Sequence, residues 1–263
     1  MRNSFVTAEK PLITAMVLER TPEAAIEKVR LSLEGGAEAI GFQLEKLERK
    51  YRDEAVFRRL FEACEGKPIY VCAYRNGSDS NYTDEECAEC LRMALSAGAT
   101  LLDVFGDIFG PAPYYQLAED PEAVRRQKEL IREIHAGGGE VLISCHTFKS
   151  LSVGENLMIA RTQAERGADV IKIVDVSNDD AELPGYIESI RRIQEETGRK
   201  LLFLVSGRLR ILREIGPSLG VCMYLTVHHH GEFDTPEQPL LADVVAIDSH
   251  MRRLGQIRRT ETL

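Results

Sequence analysis

Lys172 stands in the setting that most directly suggests covalent chemistry. It interrupts an apolar run from Val170 to Val174 that is typical of a buried β-strand. A lysine that points inward from such a strand loses hydration, which shifts it toward the neutral amine that attacks a carbonyl carbon. The alternative is an outward lysine with its stem packed between helices and its ammonium in water. The spacing favours the inward, reactive lysine.

A second candidate, His146, ends another apolar run directly before a stretch of helical periodicity. An imidazole titrates near neutral pH, so a histidine there is suited to general acid and base catalysis. A single histidine is more commonly structural. Its pairing with Lys172 on the following strand changes that balance, because neighbouring strands of a parallel barrel bring their carboxyl ends to the same mouth. We therefore predict that the two residues share one site.

The elements that would position this pair are βα units. Thr21-Pro22 and Asp120-Pro121 are typical helix starts, and Gly98 and Gly167 are typical helix ends. No GxGxxG follows the first strand, which argues against a dinucleotide-binding sheet. Eight apolar, β-rich runs predict a single-domain α/β fold, a (β/α)8 TIM barrel over residues 1–263. The predicted strands are 12–18, 39–44, 69–74, 101–105, 141–146, 170–175, 201–206 and 221–227.

Composition limits the function classes. Of the 263 residues, 44% are hydrophobic and 29% are charged, as in ordinary globular proteins, and no apolar run is long enough to span a membrane. A net charge of −9 disfavours a nucleic-acid partner. We expect a cytoplasmic protein with six buried free cysteines. In such an acidic protein a small-molecule carboxylate substrate would need particular arginines, and Arg75 and Arg213 are the candidates.

Several motifs in a fixed order resemble one known family. They are the segment from Val141 to Phe148 around His146, the run Ala168-Asp169-Val170-Ile171-Lys172, Lys67-Pro68 before a strand that leads to Arg75, the turn Arg213-x-x-Gly216, and Thr235-Pro236-Glu237-Gln238 before the last helix. On eight βα units, these motifs resemble the type I 3-dehydroquinate dehydratases along nearly the whole chain.

The resemblance implies a dehydration by covalent catalysis. Lys172 would condense with a ring ketone, and the iminium would acidify the neighbouring carbon. His146 would remove that α-proton, protonate the departing hydroxyl and help to hydrolyse the imine. No metal and no organic cofactor would be needed. The family analogy also implies a homodimer and a role in the shikimate pathway or in quinate catabolism.

The same resemblance implies roles for other side chains. Arg213 and Gln238 would bind the substrate carboxylate, for which an arginine is well suited. Arg75 would lie near the ring hydroxyls or the carboxylate. Asp79 would stand where the family has a glutamate that is hydrogen-bonded to the catalytic histidine.

Three positions depart from the family pattern. The family presents Glu-x-Arg to the ring hydroxyls, where this chain has Gly41 and Gln43. Both charges are lost, so the hydroxyl pattern of the substrate is expected to differ. Asp234 replaces a serine near the carboxylate, where its own charge would be repulsive. Gln43 and Asp234 remain candidate substrate contacts.

Other features leave alternatives open. The run 228–230 is three histidines, but consecutive side chains diverge, so a polar loop is favoured over a metal site. Cys87 and Cys90 have redox-motif spacing inside a helical pattern, which favours packing. The loop 106–120 is either a lid or a rigid excursion. Two other functions remain possible: a class I aldolase-like Schiff-base lyase, or a non-catalytic sensor of a quinate-like metabolite.

Overall fold

A computed structural model describes residues 4–112 and 116–260, with side chains described as far as residue 254. Eight parallel strands in these ranges form one sheet in the order β7-β6-β5-β4-β3-β2-β1-β8. The backbone N–H of Cys222, just before β8, donates to the carbonyl of Leu201 on β7 at 2.8 Å, which brings the two ends of the sheet together. The strands are β1 Leu12–Val17, β2 Ala39–Gln43, β3 Ile69–Cys72, β4 Leu101–Asp103, β5 Glu140–His146, β6 Val170–Ser177, β7 Lys200–Gly207 and β8 Met223–Thr226.

Helices follow the strands on the outside of the barrel. Thr21 and Asp120 cap two of them through their side chains, and Gly98 and Gly167 end two others in the left-handed conformation, as the sequence predicts. The predicted (β/α)8 barrel is confirmed. The helices are α1 Pro22–Glu34, α2 Glu54–Glu62, α3 Asp84–Ala97, α4 Pro121–Ala136, α5 Val153–Arg166, α6 Leu183–Thr197, α7 Leu212–Ile215 and α8 Leu241–Thr260.

Five of the eight strands (β1, β2, β3, β4 and β8) are shorter than predicted, and the ends of β3 and β4 bear on the site. β3 ends at Cys72 and β4 at Asp103, so Tyr74 and Arg75 belong to the loop that follows β3. That loop pairs with itself, because the backbone N–H of Tyr82 donates to the carbonyl of Arg75 at 2.8 Å. The side chains beyond β3 are therefore positioned by the loop and not by the sheet.

The loop after β4, residues 106–120, is the segment predicted to be either a lid or a rigid surface excursion. Its described ends are anchored: the Gly106 N–H donates to Ser144 at 2.8 Å, and the Ala112 N–H donates to the Asp107 carboxylate at 2.9 Å. The central residues 113–115 lie outside the described residues.

All six cysteines are buried free thiols, as predicted. Within the described part of the chain, no helix is long and apolar enough to cross a membrane.

Candidate active site

Lys172 points into the barrel. It lies in the middle of β6, opposite Ser144 on β5 and Leu202 on β7. Only 5% of the residue is exposed. Its amine contacts Tyr70 on β3 and Asp103 on β4, both across the barrel interior. The outward orientation between helices is therefore excluded.

The amine has three hydrogen-bond acceptors. Nζ of Lys172 lies 3.0 Å from each of the Tyr70 hydroxyl, the Tyr74 hydroxyl and Oδ2 of Asp103. An ammonium has three N–H donors, so this arrangement suits the protonated form. The site is dry, and an anionic partner shares it. The shift of the amine toward its neutral form stays a prediction. We call Lys172, Asp103, Tyr70 and Tyr74 the Lys172 cluster.

Asp103 is the organising anion of this cluster. Oδ2 accepts hydrogen bonds from the Tyr70 and Tyr74 hydroxyls at 2.7 Å each, and Oδ1 accepts from Oγ of Ser144 at 2.6 Å. Burial opposes ionisation, but the charge of Lys172 and these hydroxyl donors outweigh it, so the pKa of Asp103 falls below its ordinary value. Sequence reasoning missed this residue. The available signal was an acid at the end of the apolar run Leu101-Leu102-Asp103.

His146 ends β5 beside the cluster. Its ring meets the Tyr74 ring edge-on, with the centroids 5.9 Å apart. Burial, and then the positive charge of Lys172, lower the pKa of His146 to about 3. The imidazole is therefore neutral at physiological pH and can accept a proton, although it does not titrate near neutrality as the sequence suggested.

A pocket of about 160 Å³ opens beside the cluster at the carboxyl ends of the strands. Tyr74 is the member of the Lys172 cluster that lines it, and His146 lines it as well. Lys172 is not among the lining residues, but its Nζ lies 3.0 Å from the hydroxyl of Tyr74, which is. The full lining is Gln43, Glu45, Lys46, Tyr74, Asn76, His146 and Phe148.

Arg213 is a buried cation at the same end of the barrel. Its Nε donates to the carbonyl of Val205 and its Nη2 to Oγ of Ser206, each at 2.9 Å. Burial lowers the pKa of Arg213 to about 10. Within residues 4–112 and 116–254, no carboxylate lies within 4.0 Å of this guanidinium. A buried arginine with neutral partners leaves its charge available to an anion.

Gln238 and Asp234 lie in the loop between β8 and α8. Oε1 of Gln238 accepts the Thr235 N–H at 2.8 Å, which orients the side-chain amide. Asp234 accepts from Nζ of Lys28 at 3.2 Å and from the Gly231 N–H at 2.7 Å. The buried Lys28, which also contacts Glu19 at 2.8 Å, pairs with the carboxylate that was expected to repel a ligand.

Arg75 is held between two acids. Its Nε donates to Asp84 at 2.6 Å, and its Nη1 donates to Asp107 at 2.9 Å. Nη2 also donates to the backbone carbonyl of Asp107 at 2.8 Å. These contacts connect the loops after β3 and β4. The predicted contact between Arg75 and a substrate stays a prediction.

Asp79 does not make the predicted hydrogen bond to His146. Its exposed carboxylate accepts the Arg49 N–H at 2.9 Å and the Ser80 hydroxyl at 3.3 Å. The loop from β3 turns the side chain toward Arg49, away from the barrel mouth. Asp79 has no part in the mechanism proposed below.

Gly41 and Gln43 occupy the positions where the family pattern has a glutamate and an arginine. A Cβ on Gly41 would lie 2.2 Å from Sδ of Met16, so the buried Met16 side chain occupies the space that a longer residue 41 would need. Gln43 is partly exposed and lines the pocket with a neutral amide. Positions 41 and 43 therefore carry no charge, although Glu45 and Lys46 line the pocket next to Gln43.

Two other sequence features, the Cys87/Cys90 pair and the histidine run that starts at His228, are also described by the structure. Cys87 and Cys90 are buried on α3, and burial raises the pKa of Cys87 to about 12. Reactive thiols have lowered pKa values, so packing is the better explanation. Nδ1 of His228 lies 3.0 Å from Nδ1 of His229, so these two side chains contact each other.

The family model described as type I 3-dehydroquinase matches residues 13–247. The chain belongs to the type I 3-dehydroquinase family. The dehydroquinases are carbon–oxygen lyases for which a Schiff base is characteristic, so the predicted dehydratase activity is confirmed at the level of the family. This assignment favours dehydration over the aldolase-like and sensor alternatives.

Solved dehydroquinases share the fold. The chain is similar to 3-dehydroquinate dehydratase from Geobacillus kaustophilus HTA426, with a TM-score of 0.78 and 16% identity over 94% of this chain and 93% of that one. The enzyme from Clostridium difficile, solved with covalently modified comenic acid, has a TM-score of 0.77 and 14% identity over 94% of each chain. The Enterococcus faecalis enzyme has a TM-score of 0.68 and 18% identity over 82% of this chain and 88% of that one. No curated protein matches this sequence.

Proposed function

We propose that this dehydroquinase holds its substrate as a Schiff base on Lys172 and uses His146 to move protons beside it. The substrate would be 3-dehydroquinate, converted to 3-dehydroshikimate, or a close cyclic 3-keto hydroxy acid. The observation that carries this proposal is the buried amine of Lys172 in contact with Asp103 and next to the pocket that His146 lines.

Asp103 can pair with the nitrogen of Lys172 both as the ammonium and as the iminium. In the resting enzyme it pairs with the ammonium at 3.0 Å. After condensation the iminium nitrogen carries the same positive charge at nearly the same place, so the ion pair is kept. A buried carboxylate therefore favours the iminium over the neutral imine, and the iminium is the form that acidifies the α-carbon.

His146 would supply the proton transfers of the dehydration. Its neutral ring would remove the α-proton, give that proton to the departing hydroxyl as water leaves, and assist the attack of water that releases the product. With a pKa lowered to about 3, the neutral ring is a weak base and the protonated ring a strong acid, so removal of the α-proton depends on the acidity that the iminium gives to the α-carbon. All of these steps use only side chains of this chain.

Arg213 and Gln238 are the proposed carboxylate contacts. The guanidinium is buried, and a backbone carbonyl and a serine hydroxyl accept its hydrogen bonds, so an arriving carboxylate would add an anionic hydrogen-bond partner. The oriented amide of Gln238 would add a neutral donor. Asp234 would act through its ion pair with Lys28 and not as a direct ligand.

The loss of the family's two charges at Gly41 and Gln43 should select among substrates. A substrate hydroxyl that pairs with the family's carboxylate or guanidinium has neither group at these positions here, and Glu45 and Lys46 are the charged residues that line the pocket instead. We propose that the preferred substrate has fewer or differently placed hydroxyl groups on that side of the ring. Comparison of kcat/KM for 3-dehydroquinate and for its deoxy analogues tests this, and a preference for the fully hydroxylated ring contradicts it.

Borohydride reduction tests the covalent step. The protein is incubated with 3-dehydroquinate, reduced, and measured by intact mass and peptide mapping. We expect one substrate-sized adduct on Lys172 and none in Lys172→Ala. Lys149→Ala, which changes an exposed lysine, is the control and should keep the adduct. Binding without an adduct in the wild-type protein overturns the Schiff-base mechanism.

His146→Ala separates condensation from proton transfer. We expect this variant to form the adduct but to turn over at least about 100-fold more slowly, because general acid and base catalysis contributes that much or more. Undiminished turnover would remove His146 from the mechanism.

We also propose that the enzyme works in the cytoplasm as a homodimer. Large apolar side chains on the outer helices, among them Met158 on α5 at 62% and Ile187 on α6 at 39% exposure, support a subunit interface. Light scattering after size-exclusion chromatography tests the dimer, and a monomeric mass at micromolar concentration contradicts it.

A further inference from the structure

Tyr70 and Tyr74 make matching contacts in the Lys172 cluster. Each hydroxyl accepts a hydrogen bond from Nζ of Lys172 at 3.0 Å and donates one to Oδ2 of Asp103 at 2.7 Å. Each phenol therefore bridges the cation and the anion. On these contacts alone, the two tyrosines would have the same role.

Their surroundings differ. Tyr70 has no exposed surface and belongs to the packed interior of the barrel. Tyr74 is partly exposed, lines the pocket, and has its ring edge-on to His146. Of the two tyrosines, Tyr74 is therefore the one that a carbonyl compound in the pocket would contact, whereas Tyr70 is enclosed in the barrel interior.

We infer that the Tyr74 hydroxyl is a catalytic proton relay for formation and breakdown of the carbinolamine on Lys172, an inference that rests on the proposed function. Lys172 first gives a proton to Oδ2 of Asp103, 3.0 Å away, which returns it when the carbinolamine later loses water to form the iminium. The deprotonated nitrogen bonds to the carbonyl carbon as the C=O π bond breaks. The nitrogen carries a positive charge at that stage and the oxygen a negative one. Tyr74 takes a proton from the nitrogen as it gives its own to the oxygen, so the neutral carbinolamine forms and the phenol is restored.

The geometry supports this transfer. The carbinolamine oxygen is bonded to the same carbon as Nζ, so a hydroxyl already 3.0 Å from Nζ on the pocket side is within reach of both atoms. Asp103 does not lose its other donors when Tyr74 turns its O–H toward the substrate, because Tyr70 and Ser144 still donate to it. Burial also raises the pKa of Tyr74 well above its ordinary value, so the phenol keeps its proton at neutral pH.

The matched variants Tyr74→Phe and Tyr70→Phe test the inference. Both keep the aromatic ring and both remove one acceptor from Lys172 and one donor from Asp103. Effects on the ionisation of Lys172 should therefore be similar, and a difference between the two variants isolates the relay. Two rates are measured across pH: the appearance of the borohydride-trapped adduct, and the exchange of the ketone oxygen of 3-dehydroquinate with oxygen-18-labelled water.

We expect Tyr74→Phe to slow both rates about 100-fold at every pH, with little change in KM, because a general acid is lost. Tyr70→Phe should shift the pH profile but keep the maximum rates within about tenfold of wild type. Equal maximum rates in the two variants overturn the relay. If the wild-type protein forms no adduct and exchanges no oxygen, the proposed function itself fails, which is a separate outcome.

Discussion

Nζ of Lys172 lies 3.0 Å from Oδ2 of Asp103, and both side chains are almost completely shielded from solvent. Two unit charges in such a place attract each other strongly, but each has also lost its hydration. The pair is satisfied because the Tyr70, Tyr74 and Ser144 hydroxyls complete the hydrogen bonds of both ions. Removal of either charge would leave the other without its partner.

Asp103→Asn should be strongly destabilising. The variant leaves the Lys172 ammonium buried without a counter-ion, and breaking a buried ion pair typically costs about 3–5 kcal/mol. Denaturant unfolding measures the loss. The double variant Lys172→Met/Asp103→Asn should be more stable than the sum of the single effects predicts, because it removes both charges. Additive effects would show that the two charges do not interact in the folded protein.

Arg213→Gln should weaken binding of the carboxylate substrate. Loss of a charged hydrogen-bonding partner costs about 1.5–3 kcal/mol, so KM should rise about 10- to 150-fold. Saturating substrate should recover most of kcat. A cyclic ketone without the carboxylate is the control, and its rate of adduct formation should be the same in both proteins. If the substitution slows adduct formation equally with both compounds, it acts by disturbing the fold and not by removing a carboxylate contact.

Glu45→Gln should change how stability depends on pH. Glu45 is buried, and burial raises its pKa from 4.5 to about 7 although Lys46 opposes this. The folded state then binds a proton more tightly than the unfolded chain, so the wild-type protein gains stability as pH falls from about 7 toward 4.5. Above pH 7 the buried carboxylate is charged, and that stability is lost.

The Gln variant lacks this titration. We expect it to raise Tm relative to wild type at pH 8 and to have a smaller effect at pH 5, as measured by thermal unfolding. Glu62→Gln makes the same chemical change at an exposed position and serves as the control. A stabilisation that is equal at both pH values would contradict the raised pKa.

Gly41→Ala should be destabilising because of Met16. The new Cβ would lie 2.2 Å from Sδ of Met16, and overpacking of this kind typically costs about 1–3 kcal/mol. Met16→Ala removes the obstacle, so the double variant should lose less stability than the two single variants together. Gly154→Ala, with no atom closer than 4.0 Å to its Cβ, is the control and should not destabilise the protein. Additivity at positions 16 and 41 would contradict the contact.

Much of the fold follows from local patterns. Apolar runs and capping residues act over a few residues, so they predict the order of the elements and the helix starts at Thr21 and Asp120. The same patterns place Lys172 and His146 on neighbouring strands near one end of the barrel. Strand ends are weaker signals, and β3 stops before Tyr74 because the following loop pairs with itself.

The partners of the charged groups were not predictable in this way. Asp103 and Lys172 are 69 residues apart, and Tyr74 and Lys172 are 98 residues apart. Such contacts exist only once the sheet curves into a barrel and directs side chains from opposite strands to one point. The lowered pKa of His146 and the turn of Asp79 toward Arg49 depend on the same long-range geometry.

The amino-acid sequence by itself determined the barrel fold, the strand that carries Lys172 and the neighbouring strand that ends at His146. These follow from the spacing of apolar residues and from helix-capping residues, which are local properties of the chain. The tertiary structure alone decided that the lysine amine contacts Asp103 and that Tyr74 both contacts this amine and lines the pocket. Charge state and access depend on distances between remote residues, which only the closed barrel sets.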